Sequence, residues 1–114
     1  MHELGIAKDL LDIAISSAKK NNLNKITKIS IKIGESVGIE EDFLRHSFFD
    51  HLLPGTIAED CSLEISKEKV IARCKKCSAF FPPEEIISGC PSCQSKDIEV
   101  ISGKDVYITS IEGE

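Results

Sequence analysis

The sequence of 114 residues lacks the features that mark several common classes of protein. No apolar run approaches the roughly 20 residues that a membrane-spanning helix needs, so we expect no membrane association. The N-terminus carries His2, Glu3 and Asp9 where a secretory signal would carry basic and then apolar residues. No glycine-rich loop precedes a helical segment, as the common phosphate-binding motifs require. These absences predict a cytoplasmic protein whose thiols are reduced.

Positive charge is also scarce. Fourteen Lys and Arg residues stand against nineteen Asp and Glu residues, which gives a formal net charge of -5 at pH 7. Proteins that bind nucleic acid generally present a clustered basic surface to the phosphate backbone. Within residues 74–93, where many small metal-binding modules place that surface, two lysines are balanced by two glutamates. We therefore expect no nucleic-acid partner.

What the sequence does contain is two Cys-x2-Cys pairs separated by twelve residues, formed by Cys74, Cys77, Cys90 and Cys93. Each pair can fold into a tight knuckle, and two knuckles can offer four thiolates to one tetrahedral ion. We predict a structural zinc site, although iron suits the same ligands. Two disulfides are a further alternative, which the absence of secretory features disfavours. A closed site of this kind has no open position for a substrate, so the function must be sought elsewhere in the chain.

Hydrophobic periodicity predicts the order helix, strand, helix, strand, ribbon, strand. Apolar residues at three- and four-residue steps indicate a first helix, and strict alternation indicates a strand with one solvent-facing side. The second helix is predicted to begin at the acidic cluster Glu40, Glu41 and Asp42 and to end at Pro54. The remaining predicted segments are residues 4–20 (helix), 27–33 (strand), a strand at Leu63 and Ile65, and 105–111 (strand).

This order indicates an α+β fold with two domains. A small mixed β-sheet and two helices form the first domain, and a zinc ribbon is inserted near the end of the chain. We predict that the first domain comprises residues 1–69 plus 102–114 and that the ribbon comprises residues 70–101.

The start of the chain, Met1-His2-Glu3, is a second candidate metal site. A free terminal amine, the amide of His2 and its imidazole can form fused chelate rings on one ion, a set that suits nickel(II) or copper(II). Glu3 adds a carboxylate next to them. A frayed terminal segment with no bound metal is the alternative interpretation.

Other reactive side chains give no catalytic pattern. His46 and His51 are five residues apart on the second predicted helix, so we expect them not to share a face as an i, i+4 pair would. We interpret them as polar or partly buried helix residues. Cys61 stands alone before a strand and is predicted to be a buried structural thiol. No serine or cysteine nucleophile and no water-activating site is recognisable, so we predict that the protein is not an enzyme.

Three motifs occur in one order: Met1-His2-Glu3-Leu4 at the start of a helix, Gly55-Thr56-Ile57-Ala58-Glu59, and the two cysteine knuckles. Together they resemble the HypA family of hydrogenase nickel-incorporation proteins along nearly the whole chain. The resemblance implies a nickel metallochaperone that helps to mature nickel-iron hydrogenases and, in some organisms, urease. It implies a transported Ni²⁺ held in the first domain by Met1, His2 and Glu3. It also implies a structural Zn²⁺ held by Cys74, Cys77, Cys90 and Cys93.

The resemblance further implies two partners, a HypB-like GTPase and the large subunit of a nickel-iron hydrogenase. We expect a monomer or a weak homodimer. The competing interpretation is a zinc-ribbon adaptor that docks other macromolecules and carries no transient metal.

Overall fold

The computed structural model describes the backbone from Glu3 to Glu114 and the side chains from Leu4 onward. It is an α+β structure of helices and two small sheets, which confirms the predicted fold class. In chain order the elements are α1 (Glu3–Lys20), β1 (Ile26–Gly34), α2 (Glu41–His46), a π-helix (Ser47–Leu52), β2 (Ser62–Glu68), β3 (Ile71–Cys74), β4 (Phe80–Phe81), a 3-10 turn (Pro83–Glu85), β5 (Ile98–Ser102) and β6 (Val106–Gly113). None of the helices it describes is both long and apolar enough to cross a lipid bilayer.

Helix α1 buries most of the apolar face that the periodicity predicts, but Leu4 and Ile13, which the same pattern places on that face, are exposed. The buried part consists of small and branched side chains one helical turn apart: Ala7, Leu10, Leu11, Ala14 and Ala18.

The helix ends at Lys20, and Asn22 just beyond it has a φ of 60°, in the left-handed region. There the amide of Leu23 donates to the carbonyl of Ala18 at 2.9 Å, and the amide of Asn22 donates to that of Lys19 at 3.2 Å. This is a Schellman cap with asparagine in the position that glycine usually takes.

The first sheet has the strand order β2-β1-β6. Strand β1 is central, and its alternating Ile29, Ile31 and Ile33 are buried as predicted. Along β1 and β6 the paired residue numbers run in opposite directions: Glu114 N donates to Lys25 O at 2.9 Å, and Thr109 Oγ1 donates to Ser30 O at 3.3 Å. This pair of strands is therefore antiparallel.

Strands β1 and β2 run in the same direction, because their paired residue numbers rise together. Ser62 Oγ donates to Thr27 O at 3.5 Å, and Glu35 N donates to Glu68 O at 2.9 Å just beyond the end of β1. One parallel and one antiparallel pairing make the sheet mixed. The parallel pairing requires a crossover connection, which α2 and the π-helix provide.

The second helical segment changes geometry in the middle. It begins as an α-helix and continues from Ser47 as a π-helix, in which the amide of Leu53 donates to the carbonyl of Phe48 at 2.8 Å. Both Phe48 and Leu53 are buried, together with Leu44. An α-helix would turn residues five apart away from each other, whereas i→i+5 hydrogen bonds bring them into line. The π register therefore allows both side chains to enter the core.

The chain divides into two compact units. The first unit comprises Met1–Lys32, Ile39–Ser66 and Val106–Glu114, and the second comprises Ile33–Gly38 and Lys67–Asp105. The second unit contains an antiparallel sheet of order β4-β3-β5 and a small apolar cluster of Ala72, Cys74, Phe81 and Cys90. The division into a domain of residues 1–69 plus 102–114 and a ribbon of residues 70–101 stays a prediction.

Candidate metal centre

Two turns of the same shape present the four cysteines. In the first, Cys74 ends β3, its amide donates to Ala79 O at 3.0 Å, and Ser78 N donates back to Cys74 O at 2.9 Å. In the second, Cys90 N donates to Ser95 O at 2.8 Å, and Gln94 N donates to Cys90 O at 2.7 Å.

The residue four positions after the first cysteine carries the sharp part of each turn. Ser78 and Gln94 both have a φ of 64°, in the left-handed region. This conformation reverses the chain directly after the second cysteine of each pair, so both sulfurs of a pair point to the same side. The two Cys-x2-Cys segments are thus one local structure used twice.

The four sulfur atoms lie together. All are within 4.8 Å of one another; Cys74 Sγ and Cys93 Sγ are 3.5 Å apart, and Cys77 Sγ and Cys90 Sγ are 3.6 Å apart. Four thiolates at about 2.3 Å from a tetrahedral zinc ion would be separated by about 3.8 Å. A disulfide would need about 2.05 Å. The separations therefore fit a shared metal ion and exclude the two disulfides that the sequence left open, and all five cysteines of the chain are free thiols.

The first cysteine of each pair lies inside the ribbon and the second lies at its surface. Cys74 and Cys90 are buried, whereas Cys77 and Cys93 are exposed. Backbone amides point at the buried sulfurs: Cys77 N lies 3.5 Å from Cys74 Sγ, and Ser92 N lies 3.3 Å from Cys90 Sγ. Such N–H groups stabilise negative charge on sulfur and orient the ligands of a metal.

The pKa values of the four thiols show which of them lose a proton more easily and which less easily. The Cys77 amide is the main cause that lowers the Cys74 pKa to about 6. The Cys77 pKa is raised to about 12: the Ala79 amide acts against this rise, but the interaction with the Cys90 sulfur and burial outweigh it.

Burial acts to raise the pKa of Cys90, but the amides of Cys93 and Ser92 outweigh it, so this pKa is lowered. The Ser95 amide acts to lower the pKa of Cys93, but the interaction with the Cys74 sulfur and burial outweigh it, so this pKa is raised.

In each pair the pKa of the first cysteine is therefore lowered and that of the second is raised. Full deprotonation would bring four negative charges within a few ångströms of one another. A divalent cation removes this obstacle, because it holds coordinating thiols in the deprotonated form. The donor set and its charge pattern thus suit a dication with a preference for sulfur.

Of the other predicted site residues, the structure describes some and not others. Met1 and His2 lie outside the described residues; Glu3 is the first residue of α1, and its side chain is likewise not described. Cys61 is buried, as predicted, and burial raises its pKa.

The prediction that His46 and His51 do not share a face is wrong. Their ring centroids lie 5.3 Å apart with the ring planes at 81°, and both side chains are exposed. The prediction assumed α-helical geometry, whereas the segment from Ser47 to Leu52 is a π-helix. The available signal was the five-residue step between the apolar residues Phe48 and Leu53.

Comparison with known proteins identifies the family. A family model described as "Hydrogenase/urease nickel incorporation, metallochaperone, hypA" matches residues 1–113. The hydrogenase maturation factor HypA of Dehalococcoides mccartyi is 37% identical over 112 residues, which is 98% of this chain and 93% of the relative. The HypA of Aquifex aeolicus is 34% identical over 112 residues, which is 98% of this chain and 96% of the relative.

Two solved structures support the same family. The solution structure of the Ni metallochaperone HypA from Helicobacter pylori matches with a TM-score of 0.76 and 29% identity, covering 99% of this chain and 97% of that one. A second HypA solution structure matches with a TM-score of 0.81 and 30% identity, covering 100% and 97%. This chain therefore belongs to the HypA family of nickel-incorporation metallochaperones that act in hydrogenase and urease maturation.

Proposed function

We propose that this chain binds one Ni²⁺ at its N-terminus through Met1, His2 and Glu3 and passes it on during hydrogenase maturation. A HypB-like GTPase assists the transfer, and the large subunit of a nickel-iron hydrogenase receives the ion. The observation that carries the proposal is the family match over residues 1–113, which includes all the proposed ligands. The chain itself performs no covalent chemistry in this scheme.

The nickel ligands are supported by their chemistry. An amine, a backbone amide and an imidazole are nitrogen donors that suit nickel(II), and a carboxylate can complete the set. Helix α1 begins at Glu3 and is held in the core by Ala7, Leu10 and Leu11. In the sequence, the proposed ligands therefore lie at or directly before the first residue of a helix that packs in the core.

We also propose that Cys74, Cys77, Cys90 and Cys93 hold a structural Zn²⁺. When bound, the ion links the two knuckles and supplies folding free energy to a unit whose apolar cluster is small. The sulfur separations of 3.5 and 3.6 Å support this assignment. All four positions are taken by protein, so the site has no place for a substrate and its role is structural.

Nickel binding in this scheme depends on pH. The amine must lose its proton, with a reference pKa of about 7.7–8.0, and the imidazole must be neutral, with a reference pKa of about 6.5. The nickel affinity is therefore expected to fall as the pH drops from about 8 to about 6, while zinc stays bound. A nickel titration at several pH values, with proton release followed in parallel, checks this. An affinity that is constant over this range would exclude an amine-and-imidazole site.

Metal stoichiometry tests the proposal as a whole. The chain with its native start should hold one tight zinc and, at its N-terminus, one nickel that a competing chelator removes. A matched variant with one extra residue before Met1 should keep the zinc and lose this N-terminal nickel, because the amine is displaced from His2. Equal nickel binding by both proteins would refute the N-terminal ligand set.

The adaptor interpretation rests on a different observation. Phe80 and Ile87 in the second unit are 64% and 94% exposed, and exposed apolar side chains are typical of docking surfaces. An adaptor would bind no nickel at its N-terminus, so comparing nickel binding by the native and extended chains separates the two functions.

A further inference from the structure

We infer that His46 and His51 form a second, labile metal site on the π-helix, oriented by Asp50, for a borderline divalent ion such as Ni²⁺, Cu²⁺ or Zn²⁺. Its ligands are different residues from the proposed N-terminal ligands and from the four cysteines. It goes beyond the proposed function, because it would exist whether or not the N-terminus binds nickel.

The π-helix creates the site. Histidines five residues apart lie on different faces of an α-helix, but here the ring centroids are 5.3 Å apart. The same i→i+5 register is fixed from the opposite side of the helix, where Phe48 and Leu53 are both buried. Burial of these two side chains therefore sets the helix register that places the two imidazoles side by side. The backbone does not have to move to bring them together.

The spacing fits a shared ion. Two imidazoles bound at about 2.0–2.1 Å to a tetrahedral metal have ring centroids about 5 Å apart. The rings now meet edge to face, with their planes at 81°. Turning both nitrogens toward one ion requires only side-chain rotation, and His46 is 60% exposed, so no neighbouring side chain has to be displaced from the core.

Asp50 prepares His46 for this role. Its Oδ2 lies 2.5 Å from Nδ1 of His46. A carboxylate at this distance favours the tautomer with its proton on Nδ1, which leaves the lone pair of Nε2 available for a metal. Histidine ligands commonly have such a carboxylate partner, which fixes the ring orientation and increases the basicity of the ligating nitrogen.

The ligand count determines the kind of site. Two imidazoles leave the remaining coordination positions to water, and the exposed setting lets water reach them. Nitrogen donors favour nickel, copper and zinc over magnesium or calcium. An open site with two protein ligands releases its ion more easily than a closed one, so it suits capture and exchange rather than storage.

The test uses the full-length, zinc-loaded chain with His2→Ala. The sequence has three histidines, so His46 and His51 are then the only imidazoles. Cu²⁺ or Ni²⁺ alone is titrated and followed by calorimetry and by the side-chain NMR signals of the two rings. We expect one equivalent to bind, with both rings perturbed together. His46→Ala and His51→Ala should each weaken binding by on the order of 100-fold, and Asp50→Asn by about tenfold.

Asp60→Asn serves as the matched control, because Asp60 is also an exposed aspartate of the first unit and lies outside this cluster. It should leave the affinity unchanged. Zinc content and circular dichroism establish that each variant is folded. The proposal is overturned if no metal binds in the His2→Ala background, or if either histidine can be removed without loss. Because His2 is absent throughout, this failure would be distinct from failure of the N-terminal nickel site.

Discussion

At the scale of single residues, Gly34 shows the tightest packing requirement in the second unit. A Cβ atom at this position would overlap the backbone carbonyl of Gly103, which cannot move aside as a side chain can. Gly103 itself has a φ of 77°, a conformation that other residues adopt only with strain. Gly34→Ala should therefore lower the free energy of unfolding by about 2 kcal/mol or more.

Gly5→Ala is the matched control. Nothing lies within 4 Å of a Cβ at Gly5, which is in helix α1, where alanine is the better helix former. This change should raise the free energy of unfolding by up to about 1 kcal/mol. Denaturant unfolding measures both variants, and similar effects of the two substitutions would contradict the close approach at Gly34.

The ion pairs of Lys28 are expected to make a pH-dependent contribution to stability. Its Nζ lies 2.7 Å from Glu64 on β2 and 3.5 Å from Glu112 on β6, so it links all three strands of the first sheet. Glu64 is the main cause that raises the pKa of Lys28, and Lys28 is the main cause that lowers the pKa of Glu64. The lowered Glu64 pKa gives stability that is present above the ordinary value of 4.5 and is lost as the pH falls through the folded value.

The raised Lys28 pKa gives stability that is present below 10.5 and is lost as the pH rises through the folded value. Lys28→Met should therefore be slightly less stable than the native chain at neutral pH, and the difference should shrink in acid and in strong base. Both groups are exposed, so the effect is small and salt weakens it. Unfolding curves of the two proteins across the pH range check this, and a difference that grows in acid would refute it.

At the scale of elements, the acidic start of α2 is not uniform. Glu41 accepts a hydrogen bond from Arg45 at 2.9 Å, and Arg45 also donates to the carbonyl of Leu63 at 3.0 Å. Glu41 is thus part of an internal contact, whereas Glu40 and Asp42 are exposed. We expect the GTPase partner to dock on this acidic segment, where the charges available to it are those of Glu40 and Asp42.

Reversing Glu40 and Asp42 to lysine should slow association with the GTPase several-fold, and more strongly at low salt, because exposed charges steer encounter. The matched control reverses Glu84 and Glu85, an exposed pair in the 3-10 turn. Surface plasmon resonance at two salt concentrations measures both variants. Unchanged kinetics in the first variant would mean that docking occurs elsewhere.

The π-helix is the part of this region that the sequence did not predict. Helix α1 and strand β1 have regular apolar periods, so their positions could be read directly from residues 4–20 and 27–33. The change of register at Ser47 has no regular period of this kind, and its one signal is the single five-residue step between Phe48 and Leu53. It follows from the burial of both Phe48 and Leu53, a tertiary constraint, and it brought together two histidines that α-helical spacing separates.

The cysteine cluster could be anticipated because the Cys-x2-Cys spacing alone determines each knuckle. The strands around it could not, since β4 has only two residues and its partner β3 only four. Such short strands exist because they pair with one another and with β5, which no periodicity in one segment reveals.

At the scale of the whole molecule, the two units should respond differently to loss of zinc. The second unit has a small apolar cluster in which two of the four buried residues are metal-site cysteines, whereas the first has its own core on α1 and β1. Cys74→Ser should therefore lose zinc and unfold the ribbon while most of the helical circular dichroism signal remains.

Cys61→Ala is the control, because it removes a buried thiol outside the cluster and should keep the zinc. Zinc content, circular dichroism and the dispersion of amide NMR signals from residues 67–105 separate the two outcomes. Loss of the helical signal together with the ribbon would show that the two units fold as one.

The strand order has a consequence for synthesis on the ribosome. Strand β1 is central in the first sheet, yet its antiparallel partner β6 is the last element to be translated. Until then, one edge of β1 carries unpaired amides and carbonyls beside buried isoleucines, the kind of edge that recruits other chains. Between β2 and β6 the ribosome produces all four cysteines of the candidate metal centre. If they bind zinc as we propose, the ion is captured within the interval in which this strand edge is open to aggregation. Metal scarcity in the cell would then reduce the yield of folded protein as well as its zinc occupancy.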